Sequence, residues 1–396
     1  MKLSKRVEKI SASITLAISA KAKMMKEKGE PVIGFGAGEP DFDTPDYIKD
    51  AAKKAIDNGY TKYTPNAGMP DLKNAICEKF ERDNGLKYKP NQIIVSNGAK
   101  QSLFNAICAI CNEGDEVIII APYWVTYYEQ ISFTGAKPVI VYSNMNDGFK
   151  APLKRIKDAI TKKTKAIIIN SPCNPTGAVC SKSELSGIAE IAVANDIFVI
   201  SDEIYEEIIY DTEHISIASL GEEIKKKTIV INGVSKSYSM TGWRIGYAAA
   251  EKEIIDAMDR FQSHTTSNAN SIAQKAAISA LTGNKDAVKE MVRHFKERRD
   301  YIVNALNEID GVKCNMPQGA FYVFPDISAH IGKTINGKRI SGSLEFCEAL
   351  LEEEMVAVVP GEDFGENNAV RLSYALSLDN IKTGIERFKK FILKLK

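Results

Sequence analysis

Ile197-Phe198-Val199-Ile200-Ser201-Asp202-Glu203-Ile204-Tyr205 and Thr228-Ile229-Val230-Ile231-Asn232-Gly233-Val234-Ser235-Lys236 are built alike. Each is a short run, apolar throughout rather than alternating, that ends in polar residues. Such a run is a strand buried on both faces of a sheet. Residues 93–95, 117–121, 139–141 and 166–170 repeat the pattern. Between the runs lie stretches with helical spacing, among them 100–111 and 183–195. Strand–helix alternation predicts an α/β layer, a large domain with a mostly parallel sheet flanked by helices.

From residue 286 the pattern changes. A long charged helix over 289–307 precedes a strand over 319–324, a helix over 343–354, apolar runs at 356–359 and 370–374, and a last helix over 380–395. These predict a smaller α+β domain. The expected division is 1–45 as an N-terminal arm and part of the small domain, 46–285 as the large domain, and 286–396 as the small C-terminal domain. The length of 396 residues suits two to three units at about 150 residues each.

Lys and Arg number 52 against 51 Asp and Glu, a formal net charge of +1. That balance gives no reason to expect nucleic acid as a partner, and the charge of any ligand must be met locally. The seven Cys are sparse and odd in number, which argues against a disulfide framework and for a reducing cytoplasm. The strongest apolar run, 117–121, is strand-sized, so no membrane association is expected. Residues 1–9 are basic and 10–20 half-apolar, like a weak export signal, but Ser11, Ser13, Thr15 and Ser19 dilute the apolar stretch. The segment reads instead as an amphipathic arm and helix of the mature fold.

In an open parallel sheet, ligands bind beyond the carboxyl ends of the strands. After the first run comes Ser96-Asn97-Gly98-Ala99-Lys100, opening a helix; after the next, Ala121-Pro122-Tyr123-Trp124. Then follow Asn170-Ser171-Pro172-Cys173-Asn174-Pro175-Thr176-Gly177, the Asp202–Tyr205 segment, and Ser235-Lys236 with Arg244 soon after. One edge thus gathers a Gly turn at a helix start, an aromatic, an amide, a carboxylate, a phenol, a lysine and an arginine. That inventory suits a flat, anionic, electrophilic cofactor. Residues 96–100 offer free N–H groups at a helix N-terminus, an anion site, without the Gly-Lys-Ser/Thr ending of a nucleotide P-loop. Gly34, Gly36 and Gly38 lack dinucleotide spacing and read as a turn that brings backbone close to a ligand.

Ser235-Lys236-Ser237-Tyr238-Ser239-Met240-Thr241-Gly242-Trp243-Arg244-Ile245-Gly246 resembles the lysine attachment signature of class I aminotransferases that use pyridoxal phosphate. Asn174-Pro175-Thr176-Gly177 and Asp202-Glu203-Ile204-Tyr205 match two further motifs of that family, in order. Gly38-Glu39-Pro40-Asp41-Phe42, Tyr63-Thr64-Pro65-Asn66-Ala67-Gly68 and Val370-Arg371-Leu372-Ser373-Tyr374 complete the set. The resemblance spans nearly the whole chain and is closest to the bacterial and archaeal type of aspartate aminotransferase. It implies fold type I, pyridoxal 5'-phosphate, and ping-pong amino transfer from an acidic amino acid, aspartate favoured, to 2-oxoglutarate.

The resemblance also implies roles. Lys236 bonds to the cofactor aldehyde and, once freed, moves a proton between substrate Cα and cofactor C4′. Asp202 pairs with the ring nitrogen, Asn174 and Tyr205 hydrogen-bond the ring 3′ oxygen, and Trp124 stacks on the ring. The phosphate rests on the N–H groups of Gly98, Ala99 and Lys100, with Arg244 as charge partner and Ser235 as a weaker contact. Tyr63 reaches the phosphate of the neighbouring subunit, which implies a homodimer with shared active sites. Arg371 clamps the substrate α-carboxylate, helped by Asn174 and the Gly38 backbone. Lys100 meets the distal carboxylate, Trp124 also lines the substrate, and Ser13 and Thr15 supply hydroxyl contacts. A basic residue found in prephenate-using relatives is Ser11 here, which lowers the expectation of that activity.

Alternatives keep the cofactor and change the reaction: an aromatic, alanine or kynurenine aminotransferase, or a carbon–sulfur β-lyase. An alternative of another class is a regulator built on this fold, which calls for a DNA-binding helix-turn-helix segment. Cys108 and Cys111 read as a buried helix face, and His214, His264, His294 and His330 have no metal-ligand spacing, so no metal is expected.

Overall fold

The structure, a computed structural model, describes residues 4–8, 10 and 14–396. A seven-stranded sheet contains Ile93–Asn97 (β1), Glu116–Ala121 (β2), Lys137–Tyr142 (β3), Thr164–Asn170 (β4), Phe198–Asp202 (β5), Thr228–Gly233 (β6) and Ile245–Ala249 (β7). Their spatial order is β1-β7-β6-β5-β4-β2-β3. All neighbours are parallel except β7, which runs antiparallel to both β1 and β6. The sheet is thus the α/β arrangement that the continuous apolar runs predict.

Those runs are continuous because both faces are covered. Val117, Ile119, Ala166 and Ile168 pack against Leu103, Ile107, Ile255 and Met258 of the helices Ala99–Ile110 and Lys252–Ser263. Their alternates Ile118, Ile167, Ile169 and Val199 pack against Leu185, Ile188 and Ala192 of Lys182–Ala194. Side chains alternate across a strand, so a sheet with helices on both sides needs apolar residues at every position.

β7 lies outside the predicted runs. Its residues Gly246, Ala248 and Ala249 carry little apolar bulk, which hides it from a hydrophobicity reading. Its direction matters for the site. An antiparallel strand begins where its parallel neighbours end, so Gly246 pairs with Ser96 near the end of β1 and with Gly233 at the end of β6. Arg244, two residues upstream, therefore stands at the ligand edge of the sheet.

The C-terminal part builds a three-stranded antiparallel sheet from Val359–Pro360, Val370–Ser373 and Tyr322–Val323, in that order. Helices Asp286–Asn307, Ser343–Glu354 and Leu378–Lys394 close over Phe295, Phe346, Phe388 and Phe391. The N-terminal segment joins through Ile33–Gly34, which pairs parallel with Val356–Ala357. The strand expected over 319–324 contracts to Tyr322–Val323, because Ala320 takes a left-handed φ of 57° and turns its N–H to the Ile208 carbonyl at 2.8 Å. The run over 356–359 splits into two short strands with different partners.

The two halves share side chains at their boundary. Val288, in the first turn of Asp286–Asn307, packs into the core around β1 and β6, whereas Met291 and Phe295 belong to the C-terminal core. In return Ile204, Tyr205, Ile208 and Tyr210, which follow β5, are built into the C-terminal core. The segment after Asp202 is thereby held from both sides.

Candidate active site

The carboxyl ends of the parallel strands and the C-terminal sheet enclose a cavity of about 450 Å³. Gly38, Ala99, Lys100, Trp124, Asn174, Asp202, Tyr205, Ser235, Lys236, Arg244 and Arg371 all line it. Gly36, Ala37, Tyr127, Asn170, Ile204, Thr241 and Tyr322 line it as well.

At one end the helix Ala99–Ile110 opens toward the cavity. Gly98 precedes it with φ 84°, and a Cβ there would lie 2.5 Å from Nη2 of Arg244. A Cβ on Gly246 would lie 2.0 Å from the amide nitrogen of Ala99. Both glycines are thus needed for Arg244 to pack against the start of this helix. Arg244 donates to the carbonyls of Thr241 at 2.9 Å and Asn97 at 3.4 Å, and pairs with no carboxylate among the described residues. The Gly98 N–H donates to the Ser96 carbonyl at 2.8 Å, which leaves the N–H groups of Ala99 and Lys100 to open the helix. Two leading amides at a helix N-terminus beside a guanidinium form an anion cradle.

In the middle lie Lys236 and Asp202. The Lys236 ammonium donates to the Gly38 carbonyl. Burial, reinforced by Arg371 and Arg244 and opposed by Glu39 and Asp202, lowers its pKa to about 8. A lysine near that value becomes largely neutral at mildly alkaline pH, as a nucleophile or base requires. Burial raises the Asp202 pKa to about 6, against a 2.6 Å hydrogen bond from the Tyr127 hydroxyl and the Ile204 N–H. Register sets Asp202 beside Asn170 at the ends of β5 and β4, and the Asn170 amide fixes the Asp202 carbonyl at 3.0 Å.

At the far end Arg371, on Val370–Ser373, is buried. It donates to Oδ1 of Asn174 and to the Gly36 carbonyl, each at 3.0 Å, and its Nε has no partner. The plane of the guanidinium is bracketed by Tyr322 and Phe364, with ring centroids 4.6 and 5.0 Å away. Because Asn174 Oδ1 faces Arg371, its NH₂ remains to donate elsewhere. The Tyr205 hydroxyl meets the Tyr322 hydroxyl at 2.8 Å. Lys100 stands 4.9 Å from the Trp124 ring centroid, its pKa lowered by burial and by Arg244.

The charge balance tests the site against the cofactor that the motifs imply. Lys100, Lys236, Arg244 and Arg371 face the cavity, with Asp202 as the carboxylate in its wall. Glu39 lies nearby and accepts from the Thr241 hydroxyl at 2.7 Å. The excess of positive charge and the unsatisfied Arg371 Nε fit a phosphorylated ring together with a substrate carboxylate.

Of the described residues, two that were expected here do not line the cavity, Tyr63 and Gly98, and Gly98 turns its N–H to Ser96 instead of leaving it for an anion. Tyr63 is 92% exposed and does not line the cavity of its own chain. Ser13 lies outside the described residues, and of Thr15 only the helical backbone of Ile14–Glu27 is described. Gly38 engages Lys236 through its carbonyl, whereas the carbonyl that meets Arg371 is that of Gly36.

Sequence reasoning missed Tyr127 and Tyr322. Tyr127 follows Trp124 by three residues, a helical spacing that aims both at one place, and their rings meet edge-to-face at 5.5 Å. Tyr322 sits opposite Ser373 across two strands, a pairing that no local pattern reveals. His214 also finds an unexpected setting. Its Nε2 lies 3.2 Å from Glu203, and Glu206 is close enough for the three to offer ligand atoms within 4.8 Å. Those carboxylates already have partners: Lys79 and Asn84 hold Glu206, while the Ser201 and Ser216 hydroxyls hold Glu203. Cys108 and Cys111 are half-buried, and burial pushes their thiols up to about 11 and about 12, away from thiolate chemistry.

Residues 30–388 match the family described as Aminotransferase class I and II. An aspartate aminotransferase of Bacillus sp. (strain YM-2) is 52% identical over 391 residues, 98% of this chain and 99% of that one. The crystal structure of the aspartate aminotransferase from Rhizobium meliloti superposes with a TM-score of 0.96 at 44% identity, covering 100% of both chains. The aspartate aminotransferase from Thermus thermophilus with maleate superposes with a TM-score of 0.92 at 42% identity, covering 99% of this chain and 100% of that one.

Proposed function

Because the chain belongs to the class I and II aminotransferases, enzymes dependent on pyridoxal phosphate, we propose that it moves the amino group of aspartate to 2-oxoglutarate in ping-pong half reactions. The observation that carries this reading is the pair of carboxylate-seeking cations, Arg371 and Lys100, facing one cavity with Lys236. Two such cations suit a dicarboxylic amino acid, and the Thermus thermophilus relative is described with maleate, a dicarboxylate.

When bound, the cofactor supplies an aldehyde that captures an amine and a ring that takes up electrons. Ala99 and Lys100 hold its phosphate through their N–H groups, with Arg244 and Ser235 beside them. Asp202, favoured as an anion once it faces a protonated ring nitrogen, keeps that nitrogen charged. Tyr127 fixes the carboxylate from its other side. Trp124 packs on the ring face, while the Asn174 NH₂ and the Tyr205 hydroxyl donate to the ring 3′ oxygen. Arg371 orients the substrate through its α-carboxylate, and Lys100 takes the distal one. Lys236, its amine poised by burial, removes the proton from substrate Cα and returns it at C4′ of the cofactor.

Tyr63, exposed on this chain, reaches the phosphate of a second subunit in a homodimer, and the enzyme works in the cytoplasm. A panel of amino donors assayed with 2-oxoglutarate tests the substrate reading. Aspartate is expected to exceed tyrosine, alanine and kynurenine in kcat/KM by at least about tenfold, the worth of one charge-assisted hydrogen bond. Preference for an aromatic donor, or oxo-acid release without any acceptor, would refute it.

A further inference from the structure

Tyr322 has no part in the roles assigned above, yet it touches two residues that do. It is fully buried, and it comes from the C-terminal sheet whereas Tyr205 follows β5. Its hydroxyl lies 2.8 Å from that of Tyr205, and its ring centroid lies 4.6 Å from the Arg371 guanidinium. A Cβ on Gly38 would lie 3.4 Å from the same hydroxyl, so Tyr322 is closed in by the glycine segment as well. The strand pairing that sets Ser373 opposite Tyr322 fixes Arg371 and Tyr322 in one rigid unit.

We infer that Tyr322 is a positioning residue that couples the carboxylate clamp to the cofactor, so that filling Arg371 is felt at the Tyr205 hydroxyl. This rests on the roles proposed above for Arg371 and Tyr205. If Tyr205 donates its proton to the ring 3′ oxygen, the partner 2.8 Å away must donate to Tyr205. The chain then runs from Tyr322 through Tyr205 to the ring oxygen, and each bond polarises the next. Burial holds the Tyr322 hydroxyl pKa above its ordinary value; the Arg371 cation beside its ring opposes that and favours donation, and a substrate carboxylate on Arg371 cancels that help. The charged and titratable groups around Tyr322 are Arg371, Tyr205 and Glu39. Around Lys236 they are Glu39, Arg371, Arg244, Asp202 and Tyr205.

Weaker donation to the ring oxygen leaves more negative charge to attract a proton to the nitrogen that joins Lys236 to the cofactor. The visible band of the holoenzyme reports that proton. Its pH midpoint, with and without saturating maleate, is measured in the wild type, Tyr322→Phe, Tyr205→Phe and the double variant. Maleate should raise the wild-type midpoint, and Tyr322→Phe should shrink that rise by at least about half a pH unit, the scale of one hydrogen bond. In the Tyr205→Phe background the Tyr322 substitution should change nothing further. Tyr210→Phe removes another buried hydroxyl, bonded to the Ala320 carbonyl at 2.6 Å, and should leave the rise intact. Equal rises in wild type and Tyr322→Phe, or an unchanged Tyr322 effect without the Tyr205 hydroxyl, would overturn the coupling alone. A wild type with no visible band would overturn the cofactor reading and the coupling together.

Discussion

Asp202→Asn should stabilise the cofactor-free protein while abolishing its chemistry. Burial raises the Asp202 pKa from an ordinary value of 3.8 to about 6. In the unfolded chain the carboxyl ionises first, so stability falls as pH rises from about 4 to about 6 and stays low above that. A displacement of about two pH units corresponds to about 3 kcal/mol at pH 8. Tyr127 donates to Oδ2 and the Ile204 N–H to Oδ1, so an asparagine that keeps its oxygen toward Ile204 sets its NH₂ against the Tyr127 hydroxyl, which can turn to accept; the substitution removes the charge and keeps both contacts. With an unfolding entropy of roughly 2.1 cal/mol/K per residue over 396 residues, about 3 kcal/mol is worth about 4 °C in melting temperature. The assay is thermal unfolding of both proteins, stripped of cofactor, across pH 4 to 8. The gap between variant and wild type should be small near pH 4, widen to about pH 6 and then hold. Added cofactor should stabilise the wild type more than the variant. A variant that melts at or below the wild type at pH 8, or a gap independent of pH, would refute the electrostatic reasoning.

Arg371→Lys keeps the charge but loses the planar fork and the hydrogen bonds to Asn174 and Gly36. Two charge-assisted bonds of roughly 1.5–3 kcal/mol each predict a fall in kcat/KM of about two to four powers of ten, and near-full turnover would remove the clamp assignment. Lys100→Ala should raise the KM for aspartate about tenfold or more and leave that for alanine nearly unchanged; equal effects on both would dissociate Lys100 from the distal carboxylate. Gly246→Ala forces a methyl to 2.0 Å from the Ala99 nitrogen, so the helix start must move away. Titration of the stripped variant with pyridoxal phosphate should show at least about tenfold weaker binding, and unchanged affinity would show that the cradle does not depend on this approach.

The residues that end parallel strands were legible because two local rules act together on them. Continuous apolar runs mark strands buried on both faces, and the ligand edge follows from strand direction. Asp202, Asn174 and Lys236 fall into place by that logic. Arg244 was recognisable by motif, but its placement depends on β7, whose Gly246 and Ala248 supply too little apolar bulk to announce a strand. Tyr322 and Tyr127 act through contacts far along the chain or across a helix turn, to Tyr205 and to Asp202 respectively. The strand expected over 319–324 was shortened by Ala320, whose left-handed φ serves the junction with Ile208 rather than any local preference. Val288 and Met291, about one helix turn apart, belong to different cores, a sharing that the pattern change near residue 286 does not display. Tertiary pairing decided each of these, and a single sequence does not display it.

Reduction of the cofactor-loaded protein with borohydride, followed by proteolysis and mass mapping of the labelled peptide, bears most directly on the assignment of Lys236. The expected product is one pyridoxyl tag per chain, carried by the peptide containing Ser235-Lys236-Ser237. A tag on Lys100 or any other lysine, or no tag after reduction, would contradict it.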